Sequence, residues 1–173
     1  MKKNIILTIA LAVFGLSLFA SAQTFTYVGS AKCQICHKTE KQGQQYPIWE
    51  MSNHAKSFAA LSTPQAATNA QALGVKDPTT DPKCLKCHAP LAEKAAELKA
   101  EGVSCEVCHG PGSAYKTLTI MKNKDEAVKS GLRLYGNADA IKTQCLTCHD
   151  NAHGKSFDFN AAWAKIKHAV PAK

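Results

Sequence analysis

The sequence predicts a mostly α-helical fold: a single compact domain of short helices and long loops with little or no sheet. Three observations carry that expectation. No long stretch alternates apolar and polar residues at the two-residue period of a strand. Several short segments place apolar residues at helical spacing between cap and breaker residues. The pattern C-x-x-C-H also occurs four times, ending at His37, His88, His109 and His149. With roughly 40 residues for each copy, long elements and a large apolar core have little room.

Taken in order, residues 1–22 read as a cleaved export signal. Lys2 and Lys3 precede the short apolar run "NIILTIALAVFGLSLF", and the small residues Ala20, Ser21 and Ala22 form a cleavage site before Gln23. The remaining chain, residues 23–173, is one domain, expected in the periplasm or outside the cell after export through Sec. It has no stable membrane insertion once the signal is removed. "PIWEMSNHAKSFAAL" places Ile48, Met51, Ala55, Phe58 and Leu61 on one helical stripe with His54 beside it. "TPQAATNAQALGVKDPTTDP" reads as a low-charge connector. "PLAEKAAELKAEG" reads as a strong short helix ended by Gly102. It joins the second and third motifs, so those two must lie close together. "KDEAVKSG" is another short helix stopped by Gly131, and Asn137 caps the helix that carries the fourth motif. In the last segment Asn160 is the expected N-cap, Trp163, Ile166 and Val170 form a stripe, and Pro171 ends it.

The formal net charge is +8, from 21 Lys and Arg against 13 Asp and Glu. Two of those lysines leave with the signal. The rest are scattered, without a basic stripe interleaved with aromatics, which argues against nucleic acid as a partner. No nucleophile triad or nucleotide loop is present.

Eight cysteines in an exported chain ordinarily suggest disulfides. Here they fall as Cys33/Cys36, Cys84/Cys87, Cys105/Cys108 and Cys145/Cys148, each pair followed at once by a histidine. C-x-x-C-H is the covalent attachment motif of c-type haem: two thiols add across the porphyrin vinyl groups, and the adjacent imidazole becomes the proximal iron ligand. Zinc sites and disulfides leave the histidines unexplained. With 7 histidines in 173 residues, four such followers by composition alone have odds of roughly one in several hundred thousand. The reading is four covalently bound haem c groups, with His37, His88, His109 and His149 as proximal ligands. The domain then becomes a multihaem one, its helices and loops wrapped around four closely packed haems.

With "GVSCEVCHGPG", "SNHAKSF" upstream and "FNAAWAKIKH" near the end, the chain resembles the tetrahaem cytochrome c-554 family over nearly all of residues 28–173. The resemblance implies a mostly helical fold with haems in closely stacked pairs. It implies that His54 is the distal ligand opposite His109, and that His168 is the distal ligand opposite His149. It implies a five-coordinate second haem, held by His88 alone. In the family's pattern the first haem's distal histidine follows the Gly-Pro-Gly turn; here it is absent.

Beyond the four proximal histidines, only His54, His153 and His168 remain, so at least one iron lacks a second histidine. His153 is four positions from His149, too close to reach the far side of the same haem. It ligates another haem, bridges to a propionate or faces solvent. Met121 falls near where the family's histidine aligns. Its thioether is a candidate sixth ligand for the haem on His37, the other reading being a core methionine beside Leu118 and Ile120.

The leading functional reading is an electron carrier rather than an enzyme, passing electrons between redox proteins such as other cytochromes or quinol-linked membrane oxidoreductases. One alternative is reduction of nitric oxide or another nitrogen oxide at a five-coordinate haem. The other is a subunit of a homo-oligomer or haem-stacked filament.

Overall fold

The four attachment motifs share one local structure: each is the closing turn of a helix. The computed structural model describes residues 24–168. The expected export signal and the Val170–Pro171 end of the last helix lie outside them. Within that range α1 (Ser30–His37), α4 (Pro82–His88), α5 (Cys105–His109) and α8 (Ala138–His149) all end on the motif histidine. Helical geometry explains the arrangement. Residues i, i+3 and i+4 share a face, so one turn presents both thiols and the imidazole on the same side.

Local chemistry starts these helices. Asp81 caps α4 through its side chain, accepting from Lys83 N–H, and Pro82 occupies the first turn, where its missing N–H costs nothing. Asn137 caps α8 by accepting from Ala140 N–H, as its position in the sequence suggested. The remaining helices are α2 (Gln45–Met51), α3 (Pro64–Ala72), α6 (Leu118–Met121), α7 (Lys124–Lys129) and α9 (Phe159–Ile166). No strand occurs among the described residues, so the mostly α expectation holds.

Four local expectations need correction. The stripe from Ile48 to Leu61 is not one helix. Ser52 Oγ donates to Trp49 C=O and accepts from the N–H groups of His54 and Ala55, which ends α2 and starts a turn. His54 therefore sits in a turn, not on a helix. The connector after Leu61 contains α3, capped by Thr63 with Pro64 in its first turn. "PLAEKAAELKAEG" keeps only a 3₁₀ turn at Ala96–Glu101. Buried Leu91 and Ala95 and the docking of Glu101 onto α1 override its helix propensity. The cap of α9 is Asp158, which accepts from Ala161 N–H, rather than Asn160.

Packing joins the motif helices in two pairs. α1 packs against α5, and α4 against α8. The first pairing is held by buried carboxylates. Glu101 accepts from Ser30 N–H at 2.9 and 3.1 Å. Glu106, 1% exposed, accepts from the N–H groups of Val28, Gly29 and Gly112 at 2.6–3.1 Å. A buried carboxylate needs such partners to offset its desolvation. The second and third motifs are linked through Ser57: its hydroxyl lies 2.8 Å from the carbonyls of both His54 and His88, and it accepts from Val103 N–H. The buried apolar side chains are few and mostly small: Ala70, Val75, Ala89, Ala95 and Ala127 beside Leu61, Leu91 and Tyr115. So few large buried side chains fit a domain whose interior is completed by a large apolar cofactor.

Candidate haem site

The eight cysteines are all free thiols, half-buried at the helix ends. The Cys33 thiol lies beside that of Cys105, and the Cys87 thiol beside that of Cys148. The first motif thus meets the third and the second meets the fourth. Cys108 is near Cys145, and burial is the main cause that pushes its thiol up to about 11. Burial also raises Cys84 and Cys145.

Cys33 and Cys36 take different places on α1. Cys33 is the thiol that meets Cys105 of α5. Cys36 lies three residues on, about 4.5 Å further along the axis, beside Ile35, which is 78% exposed. Its share in holding a cofactor rests on the motif, since Cys36 immediately precedes His37 at the end of α1.

Six of the seven histidines face one another in three pairs. His54 lies against His149 with ring centres 6.1 Å apart, His88 against His153 at 6.2 Å, and His109 against His168 at 5.8 Å. The rings are turned 45°, 65° and 53° to each other, so none of these pairs is stacked. Phe157 does stack on His149, at 4.6 Å and 12°. Two metal–imidazole bonds of about 2.0 Å in line, plus about 1.1 Å from each nitrogen to its ring centre, put ring centres about 6.2 Å apart. The three observed separations fit an iron between each pair.

The remaining ring nitrogens are arranged to match. His88 Nδ1 donates to Ser57 C=O at 2.8 Å, and His168 Nδ1 donates to Ile166 C=O at 3.3 Å. His37 Nδ1 lies 3.2 Å from Gln45 Oε1. A carbonyl oxygen only accepts, so each contact fixes the proton on Nδ1 and leaves the Nε2 lone pair for a metal. Burial lowers His109 to about 4, with nearby His168 and His37 adding to the shift. Burial also lowers His54, His149 and His168. The neutral imidazole is the ligating form. Beside the third motif, Ser104 Oγ is buried with no hydrogen-bond partner among the described residues, a group that a polar cofactor substituent can satisfy. The donor set, its spacing and its tautomers fit c-type haem.

Against the sequence reading, every spare histidine has a motif histidine opposite it, but the partners differ from those the resemblance implied. His54 faces His149 rather than His109, and His168 faces His109 rather than His149. His153, four residues from His149, turns to His88 across the α4–α8 contact. It is presented by a left-handed backbone, φ 56 and ψ 30, with Asn151 at φ 50 just before it. Such angles are uncommon for non-glycine residues and cluster at functional sites. Met121 ends α6, which packs on α7. Sequence reasoning missed Ser57, Gln45 and the buried role of Glu106; the only signal for Glu106 was a charged residue between the third pair of cysteines.

A family model described as cytochrome c554 and c-prime matches residues 32–110, which span the first three motifs. Cytochrome c-554 of Nitrosomonas europaea is 28% identical, the match covering 81% of this chain and 63% of that protein. The chain therefore spans less than two thirds of the length of that relative. No solved structure matches the chain. The attachment turns, the facing imidazoles and these two matches agree: over its first three motifs and in its donor set, the chain is similar to the cytochrome c-554 family of c-type cytochromes.

Proposed function

We propose that the chain is an exported tetrahaem electron-transfer protein that passes electrons between redox partners. The observation that carries this reading is the set of three facing histidine pairs at 5.8–6.2 Å, each containing one motif histidine. Each bound haem iron supplies a one-electron ferric/ferrous couple. The cysteine pairs of all four motifs tether the cofactors, and His37, His88, His109 and His149 ligate them from the proximal side. His54 serves the iron of His149, His153 that of His88, and His168 that of His109. Ser57 and Ile166 orient His88 and His168 through their carbonyls, and Gln45 orients His37. The four attachment turns gather in one cluster, the first against the third and the second against the fourth. The signal at residues 1–22 directs the protein to the periplasm or beyond. No helix among the described residues is long and apolar enough to cross a membrane.

Pyridine haemochrome analysis and intact mass of the purified protein test the cofactor count. Four haems per chain and a mass starting at Gln23 are expected, and three or fewer in fully matured protein would refute the assignment. Stopped-flow mixing with a reduced soluble cytochrome tests the carrier role. Fast, substrate-independent reoxidation is expected.

A further inference from the structure

Resting on the three-pair reading above, we propose that the iron held by His37 keeps its sixth position open to a small neutral diatomic ligand such as carbon monoxide or nitric oxide. The first motif, not the second, then carries the chain's exchangeable site.

All seven histidines lie within the described residues, and six are matched in facing pairs. An imidazole whose Nδ1 proton is committed to a carbonyl has one nitrogen left and serves one iron, as His88 and His168 illustrate. His37 is then the motif histidine left without a histidine opposite. Its own Nδ1 is engaged by Gln45, which sets its Nε2 for the proximal role and no other. Tyr115 lies close enough to Cys33 to feel its charge, but its hydroxyl is buried and donates to Gly110 C=O at 2.8 Å, so it is not a spare oxygen donor. The chain that follows His37 borders a cleft of about 650 Å³, lined by Glu40, Gly43, Gln44 and Ile48 on one side and by Trp163, Lys167 and His168 on the other; His168 is the residue already matched to His109. That volume lies in the range of small-ligand sites and opens beside the segment that follows the first motif. Ferrous haem iron with a single imidazole binds neutral diatomics, whereas an iron between two imidazoles has no position for them.

The test is a carbon monoxide titration of the dithionite-reduced holoprotein, followed in the Soret band, for wild type, His153→Ala and Cys33→Ala/Cys36→Ala. One equivalent is expected in wild type, two in His153→Ala, and none in the double cysteine variant, which keeps three haems. Zero equivalents in wild type would mean that a protein donor, such as the Met121 thioether, already fills the position, and would overturn the proposal. One equivalent in both wild type and His153→Ala would put the open iron at His88 and also overturn it. Two or more in wild type would instead break the three-pair reading on which it rests. If His153→Ala does not mature, retention of one equivalent by the double cysteine variant overturns the proposal by itself.

Discussion

His153 faces His88 with ring centres 6.2 Å apart, from a backbone held at φ 56 to present it. A non-glycine residue in the left-handed region costs about 1 kcal/mol, which the contact between the two segments offsets. His153→Ala is expected to convert the haem on His88 from low-spin to high-spin. It also moves one component of the redox titration to more positive potential, since a donor that stabilises ferric iron is lost. Low-temperature electron paramagnetic resonance and potentiometry read the two effects. An unchanged spectrum and titration would remove His153 from the ligand set.

The exchange of distal partners has its own test. If His54 serves the iron of His149, removing the fourth haem by Cys145→Ala/Cys148→Ala makes a further His54→Ala substitution silent in the high-spin signal. His168→Ala in the same background still adds one high-spin centre. The reverse pattern would restore the pairing of His54 with His109 and of His168 with His149.

Glu106 predicts a large stability effect far from any surface. Its carboxylate satisfies three backbone N–H groups in a buried setting. Glu106→Ala leaves those donors without partners and is expected to cost about 3 kcal/mol or more. Thermal unfolding of the holoprotein measures it. Lys129→Ala, which removes an exposed ion pair with Glu126, is the comparison and is expected to leave the unfolding midpoint nearly unchanged, since solvent screens such pairs.

Two glycines with similar backbone angles separate sterics from conformational strain. Gly102 has φ +66 and Gly74 φ +64. A Cβ at Gly102 meets Ser57 Oγ, lies 2.6 Å from His54 C=O and lies 3.2 Å from Phe58 N, whereas one at Gly74 meets nothing within 4 Å. Gly74→Ala is expected to cost about 1 kcal/mol, the left-handed penalty alone. Gly102→Ala adds a backbone clash at the join between the His54 turn and the third motif. It is expected to lower the unfolding midpoint several times more. Equal midpoints for the two variants would contradict the packing of that join.

The cofactor chemistry was legible because it is local. Two thiols and an imidazole within one helical turn need no tertiary information, and all four motifs appear in that form. The neighbours of each thiol are another matter: only the packing of α1 on α5 brings Cys33 beside Cys105. The rings facing His54 and His168 were not legible, because they depend on which motif each segment passes over. His153 shows the same limit more sharply. Its short separation from His149 argued against their sharing one haem, but only the α4–α8 contact reveals His88 as its neighbour. Among the helices, the break at Ser52 was hidden by an apolar stripe that continues across it. The loss of helix in residues 90–102 followed from burial of Leu91 and Ala95 and from the demand of Ser30 for Glu101. The Thr63–Pro64 start of α3 was present as a cap signature, and the low charge of the segment masked it.

The carboxylate of Glu106 also orders events in time. Val28 and Gly29 lead directly into the first attachment turn, yet their N–H groups find their acceptor only on a residue inside the third. As the chain emerges from its N-terminal end, the first motif can receive its cofactor before that acceptor exists, but the segment ahead of it has nothing to settle on. Docking of Val28, Gly29 and Gly112 on one side chain therefore acts as a late latch. It cannot close before residues 105–112 are in place, and it ties the first attachment turn to the third.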